Sequence, residues 1–255
     1  MSVITRPEST TSPAGGRRWR RWPLVTLAVV SLAVLSYMLS AYVPPEMSTS
    51  RVPVAGNTTY YVLLVAHIFT ATVATLAGLA QFWPWLRSRH PRVHRWTGRA
   101  YFFLGVFPSS ILAIPVILLA PFGVPNQAAL VFVDAAWIAT AVAGYRAVRQ
   151  RRFADHRRWM IRNYALTFSS LASRFVMPVM AVIIGSQAAG PNYRGDRTAI
   201  VHDNASASIW VGVLLTVLAA EWYVQRRYGV PPAVGRQPTG PENSSPQLGM
   251  RDGTR

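Results

Sequence analysis

Two histidines, His94 and His156, sit 62 positions apart in matching surroundings, LRSRHPRVHRWTGRAY over 86–101 and VRQRRFADHRRWMIRNY over 148–164. At that offset Arg87 pairs with Arg149, Arg89 with Arg151 and Arg95 with Arg157. After a one-residue insertion Trp96 pairs with Trp159, Arg99 with Arg162 and Tyr101 with Tyr164. Two imidazoles on separate helices can clamp a haem b, and Arg95, Arg99, Arg157, Arg158 and Arg162 are the forks that would bind its propionates. The same guanidinium groups, with the free N–H groups of a helix start, also make an anion site. Its candidate occupants are lipid headgroups, haem propionates or a soluble metabolite.

A second set of polar residues lies inside long apolar runs: His67, Gln81, Asp134 and Arg174. Ionisable groups within a membrane span are costly and mark functional positions by default. Helical steps from His67 reach Thr70, Ala74, Gly78 and Gln81, a small and polar stripe suited to close packing. Asn163, Thr167, Ser170 and Arg174 follow the same spacing, and Pro178 leaves the Arg174 carbonyl without its helical donor. The depths match, so an Asp134–Arg174 ion pair and a buried polar cluster in the outer half are expected. Asp155 is expected to cap the fifth span, and Glu221 to face Arg226 or water. His202, in the loop before span six, is a weaker partner for His67.

Composition narrows the chemistry. The chain has no cysteine, which removes thiol catalysis, iron–sulfur clusters and Cys-based zinc sites. Walker, dinucleotide, H-E-x-x-H and G-x-S-x-G patterns are absent from the sequence. Of its 255 residues 51% are apolar and only 14% charged, against about 25% in soluble domains. That composition suits about six membrane spans of roughly 20 residues each.

Uncharged runs place the spans at 23–43, 59–86, 99–120, 127–149, 159–185 and 205–225. The net charge of +17 comes entirely from arginine, since all 26 basic residues are Arg. With the N-terminus inside, 22 of them fall on the cytoplasmic side. Only Arg51, Arg194 and Arg197 fall outside, and Arg174 lies within a span. The bias predicts both termini in the cytoplasm of a cell with a multi-pass inner-membrane protein, and it explains the charge without nucleic acid. The expected architecture is an all-α, polytopic six-helix bundle over 23–228, with a parallel two-helix repeat. Polar tails, 1–22 and 229–255, have no apolar periodicity and read as disordered.

An in-span His, an HR-x2-GR-x-Y turn, and H-x2-WM-x-R with a further Arg on the same helix resemble a bacterial family. It is the predicted membrane proteins known as domain of unknown function two-three-zero-six. The matching elements are His67, Gln81, HRWTGRAY (94–101), HRRWMIRNYAL (156–166) and Arg174, within about residues 60–185. The resemblance implies a membrane bundle in which these polar residues matter, and no activity.

Function is therefore expected among three classes. The first is a haem-b- or quinone-linked electron-transfer bundle. The second is a small, proton-coupled transporter using His67, Asp134 and Arg174. The third is a scaffold that holds anionic lipid headgroups on its arginines.

Overall fold

The computed structural model describes residues 22–229, so the two polar tails lie outside the described residues except for Trp22 and Gly229. Six helices are long and apolar enough to cross a membrane, and no strand occurs among the described residues. They are α1 (Trp22–Leu39), α2 (Thr58–Phe82), a third span built in pieces, α6 (Gly123–Arg149), α7 (Phe153–Gly185) and α8 (Arg197–Tyr228). The third span comprises α4 (Pro91–Ala100), a π-helical turn over Tyr101–Val106 and α5 (Phe107–Leu118). A short helix, α3 (Pro84–Arg89), precedes it.

Several boundaries differ from those read off hydropathy, for one reason: a helix needs apolar side chains only inside the hydrocarbon. The fifth span begins at Phe153 and the third at Pro91, so the arginines expected in loops lie on helices. Arg99 and Arg162 are two turns inside them. Span six begins at Arg197, capped by Asp196, whose Oδ1 accepts N–H bonds from Thr198 and Ala199 at 2.9 and 3.2 Å. His202 is thus helical. Span two ends early, at Phe82, because Pro84 holds Trp83 in an extended conformation. Its start is capped by Asn57, which accepts the Tyr60 N–H at 2.9 Å.

The π-helical turn sits just before Pro108, whose ring cannot tolerate a regular helical carbonyl four residues back. Widening the turn absorbs that clash. It also holds one face inward: Tyr101, Phe102, Gly105, Val106, Ser109, Ser110, Ala113 and Ile117 are all buried. That spacing averages close to four residues, which an unbroken 3.6-residue helix would rotate steadily out of the core.

Small residues set the closest approaches. A Cβ on Gly105 would lie 2.7 Å from the Cα of Ala74, so α2 and the π turn meet backbone to backbone. Gly212 of α8 has the Ser173 backbone nitrogen of α7 3.0 Å from the same position, and Gly78 accommodates the rings of Tyr101 and Tyr164. By contrast α1 docks on α2 and α7 with a single buried residue, Ser31. The far end is closed by the 40–57 segment, where Ala41, Tyr42 and Val54 pack on Tyr60, Tyr61 and Leu64. Arg51 ties this segment to α1, donating to the Tyr37 carbonyl and hydroxyl at 3.0 Å each.

Gly105→Ala should therefore push α2 from the third span and destabilise the bundle by about 1–3 kcal/mol. Gly185→Ala, where an added Cβ meets nothing within 4 Å, is the control. Thermal unfolding in detergent reads the difference, and equal midpoints would refute the seam.

Candidate functional site

At the centre of the bundle four spans are stitched by polar side chains. The Tyr101 hydroxyl donates to Asn163 Oδ1, and Asn163 Nδ2 donates to the Trp137 carbonyl at 2.7 Å and to Thr140 Oγ1 at 2.8 Å. Trp137 Nε1–H donates to Thr167 Oγ1 at 2.9 Å, which also lies 3.1 Å from the Tyr101 hydroxyl. Nearby, the Tyr164 hydroxyl reaches the Thr75 carbonyl at 3.4 Å. Tyr101 and Asn163 have their hydrogen-bonding needs met here, so this centre holds register and leaves no valence open for a ligand. Sequence spacing put Asn163 and Thr167 on one stripe and gave them no partners. Trp137 and Thr140, on the same helix as Asp134, carry no such signal.

The Arg-rich end holds the histidine pair. His94 and His156 lie close enough for their charges to interact. His156 Nδ1 lies 2.9 Å from the Gly144 carbonyl; a carbonyl only accepts, so Nδ1 carries the proton and Nε2 keeps its lone pair. The Nδ1 of His94 is buried with no partner. Gln81 locks the helix beneath it, donating to the His94 carbonyl at 3.2 Å and to Thr97 Oγ1. Gln81 therefore belongs to this end and not to the outer polar set.

The arginines divide into committed and free. Arg162 donates from Nε and Nη2 to the two carboxylate oxygens of Glu221, at 2.8 and 3.0 Å. This corrects two expectations: Glu221 stays part-exposed to water but turns to Arg162 and not Arg226, and the Arg162 fork is committed and not held open for an anion. Asp155 does not cap α7; Arg152 holds the cap position. Asp155 pairs instead with Arg152 at 2.7 Å and Arg158 at 3.5 Å, and Arg158 also donates to the Tyr228 carbonyl at 3.0 Å. Arg95, Arg99 and Arg157 remain exposed. Arg99 lies over Trp96 and Arg162 over Trp159, each 5.2 Å from the ring centre, the same i, i+3 geometry in both segments.

In the outer half the expected single cluster is not assembled. His67 Nδ1 donates to the Ser109 carbonyl at 2.9 Å, with the Ser109 hydroxyl at 3.1 Å. Asp134 lies on the next seam, near Ser110. The Asp134–Arg174 pair is not formed: the salt bridges among the described residues are those of Asp155 and Glu221. The charged and phenolic groups near Arg174 are Tyr42 and Arg51, under the outer cap. Hydropathy does not specify the face each helix presents, because rotation about the axis depends on its neighbours. No group of three His, Asp or Glu able to hold a metal occurs among the described residues.

This is a multi-pass α-helical membrane protein, with a polar-stitched core and basic, aromatic-rich helix ends. More narrowly, the chain belongs to the family described as predicted membrane protein, DUF2306, whose model matches residues 64–222. The match takes in Glu221 as well as the motifs around His94 and His156. No curated protein and no solved structure matches the chain.

Tyr101→Phe leaves Asn163 Oδ1 without its donor and should cost about 1 kcal/mol, the scale of interhelical hydrogen bonds in membranes. A double-mutant cycle with Asn163→Ala in detergent should return a coupling of that size. Additive losses would show that the two residues act separately.

Proposed function

We propose that this protein binds anionic phospholipid at the Arg-rich end of its bundle, with that end facing the cytoplasm across the inner membrane. The observation that supports it most is a groove of about 360 Å³ between α1 and α2. Its lining is apolar, among it Leu24, Leu27, Ala28, Leu76 and Phe82, with Trp83, Trp85 and Leu86. The helix α3, which supplies Trp85 and Leu86, also carries the exposed Arg87 and Arg89. An acyl chain suits the walls and a phosphate headgroup suits the arginines beyond them. Trp83, Trp85 and Trp96 are exposed at the same level, where amphipathic rings favour the bilayer interface. The four arginines from Arg17 to Arg21 precede α1 in sequence.

A second reading, haem b or quinone-linked electron transfer, is favoured by the histidine pair alone. His156 holds its Nδ1–H on a backbone carbonyl, as axial histidines commonly do, and His94 has a buried, unpartnered nitrogen beside it. Exposed Arg95, Arg99 and Arg157 are the remaining forks for propionates. The groove between α1 and α2 includes neither histidine.

The two readings separate cleanly. Purified protein should retain phosphatidylglycerol over phosphatidylcholine in native mass spectra. Arg87→Gln with Arg89→Gln should weaken that preference roughly tenfold or more, at about 1 kcal/mol per arginine; equal retention of both lipids overturns the lipid reading. For the second, a reduced-minus-oxidised absorption spectrum should show a haem band that His94→Ala and His156→Ala each abolish. A featureless wild-type spectrum from haem-replete cells retires it.

A further inference from the structure

Asp134 occupies an unusual position for a carboxyl. It lies eleven residues from Gly123, about 16 Å along α6 at the helical rise, which puts it well inside the hydrocarbon. The other acidic side chains among the described residues lie in loops, at caps or within about two turns of a helix end. No salt bridge reaches Asp134 among the described residues, and the in-span arginine points elsewhere. Ser110 on α5 lies beside it, yet the Ser110 hydroxyl is 0% exposed and has no hydrogen-bond partner. A part-exposed carboxyl with no counter-charge thus stands beside a buried hydroxyl that has no other partner, a costly arrangement in hydrocarbon.

A crevice of about 230 Å³ opens beside them, between α5 and α6, with Asp134 in its wall. The rest of that wall is apolar, from Ile114, Ile117, Leu118, Val131, Ala135 and Ile138. Ile114, Leu118 and Val131 are more than half exposed on the outside of the bundle. The crevice therefore faces the lipid phase, and whatever reaches it must dissolve there. A carboxyl with no counter-charge in the protein selects for a positive one, and aliphatic walls select for an apolar body.

We propose that the Asp134 crevice is a binding site for lipophilic organic cations entering sideways from the membrane. The carboxyl supplies the counter-charge, Ser110 offers a hydroxyl dipole to the same head, and α5 and α6 hold the hydrophobic part. This site is separate from the lipid groove between α1 and α2, so either stands if the other fails.

The test uses the full chain in nanodiscs with tetraphenylphosphonium as probe and triphenylphosphine oxide as its neutral counterpart. Wild type should bind the cation saturably. Asp134→Asn should weaken binding at least tenfold, Asp134→Glu should retain it, and the neutral compound should not compete. In the unmodified protein, a lipid-soluble carbodiimide should label Asp134, and the cation alone should slow that labelling. This second measurement decides the matter if Asp134→Asn does not fold. Equal binding by wild type and Asp134→Asn, no saturable binding, or equal protection by the neutral compound each overturns the proposal.

Discussion

A phenol, a carboxamide, an indole and two threonine hydroxyls meet where three spans cross, far from the bulk solvent that would otherwise share the load. Inside hydrocarbon each polar group must find its partner within the protein, and the Tyr101–Asn163–Trp137 network does so at the bundle's centre. The close approaches follow from it. For Tyr101 to reach Asn163, the third span has to lie against α2 and α7 together, and Gly105 and Gly78 remove the side chains that would hold them apart. The aromatic rings around the network, Phe82 on Tyr164 and Tyr101 against Phe102, fill what the glycines leave.

Charge is organised differently at the Arg-rich end, where helices outlast the apolar runs. There Glu221 and Asp155 pair with three arginines between them, joining α7 to the last turns of α8 and to its own start. These pairs are partly exposed, so their role is alignment more than stability. What remains unpaired is the set on α3 and α4, next to exposed tryptophans. The division sorts arginines that serve the fold from arginines left for something outside it.

Much of this was legible in the sequence. The number of spans, their order and the polar residues worth attention follow from hydropathy and from the cost of charge in lipid. The family match over residues 64–222 agrees with the motifs around His94 and His156. What was not legible was azimuth. Asp134 and Arg174 share a depth yet face different neighbours, because Ser110 and the Tyr42 cap, far away in sequence, decide what each helix turns toward. The third and fifth spans begin within the arginine-rich segments, ahead of the apolar runs that hydropathy detects, and Glu221 pairs with Arg162, 59 residues earlier in the chain.

The widened turn at Tyr101–Val106 makes the third span sensitive to length in a way that composition does not reveal. One residue of helix corresponds to about 100° of rotation. Were that turn to close as ordinary α-helix with every residue kept, the sequence would stay just as apolar. The outer half would then swing as a unit, carrying Ser109 away from His67 and Ser110 away from Asp134. Both outer seams are thus indexed by a residue count: a further insertion here would turn them aside, whereas loss of one residue is the change that closing the turn could absorb.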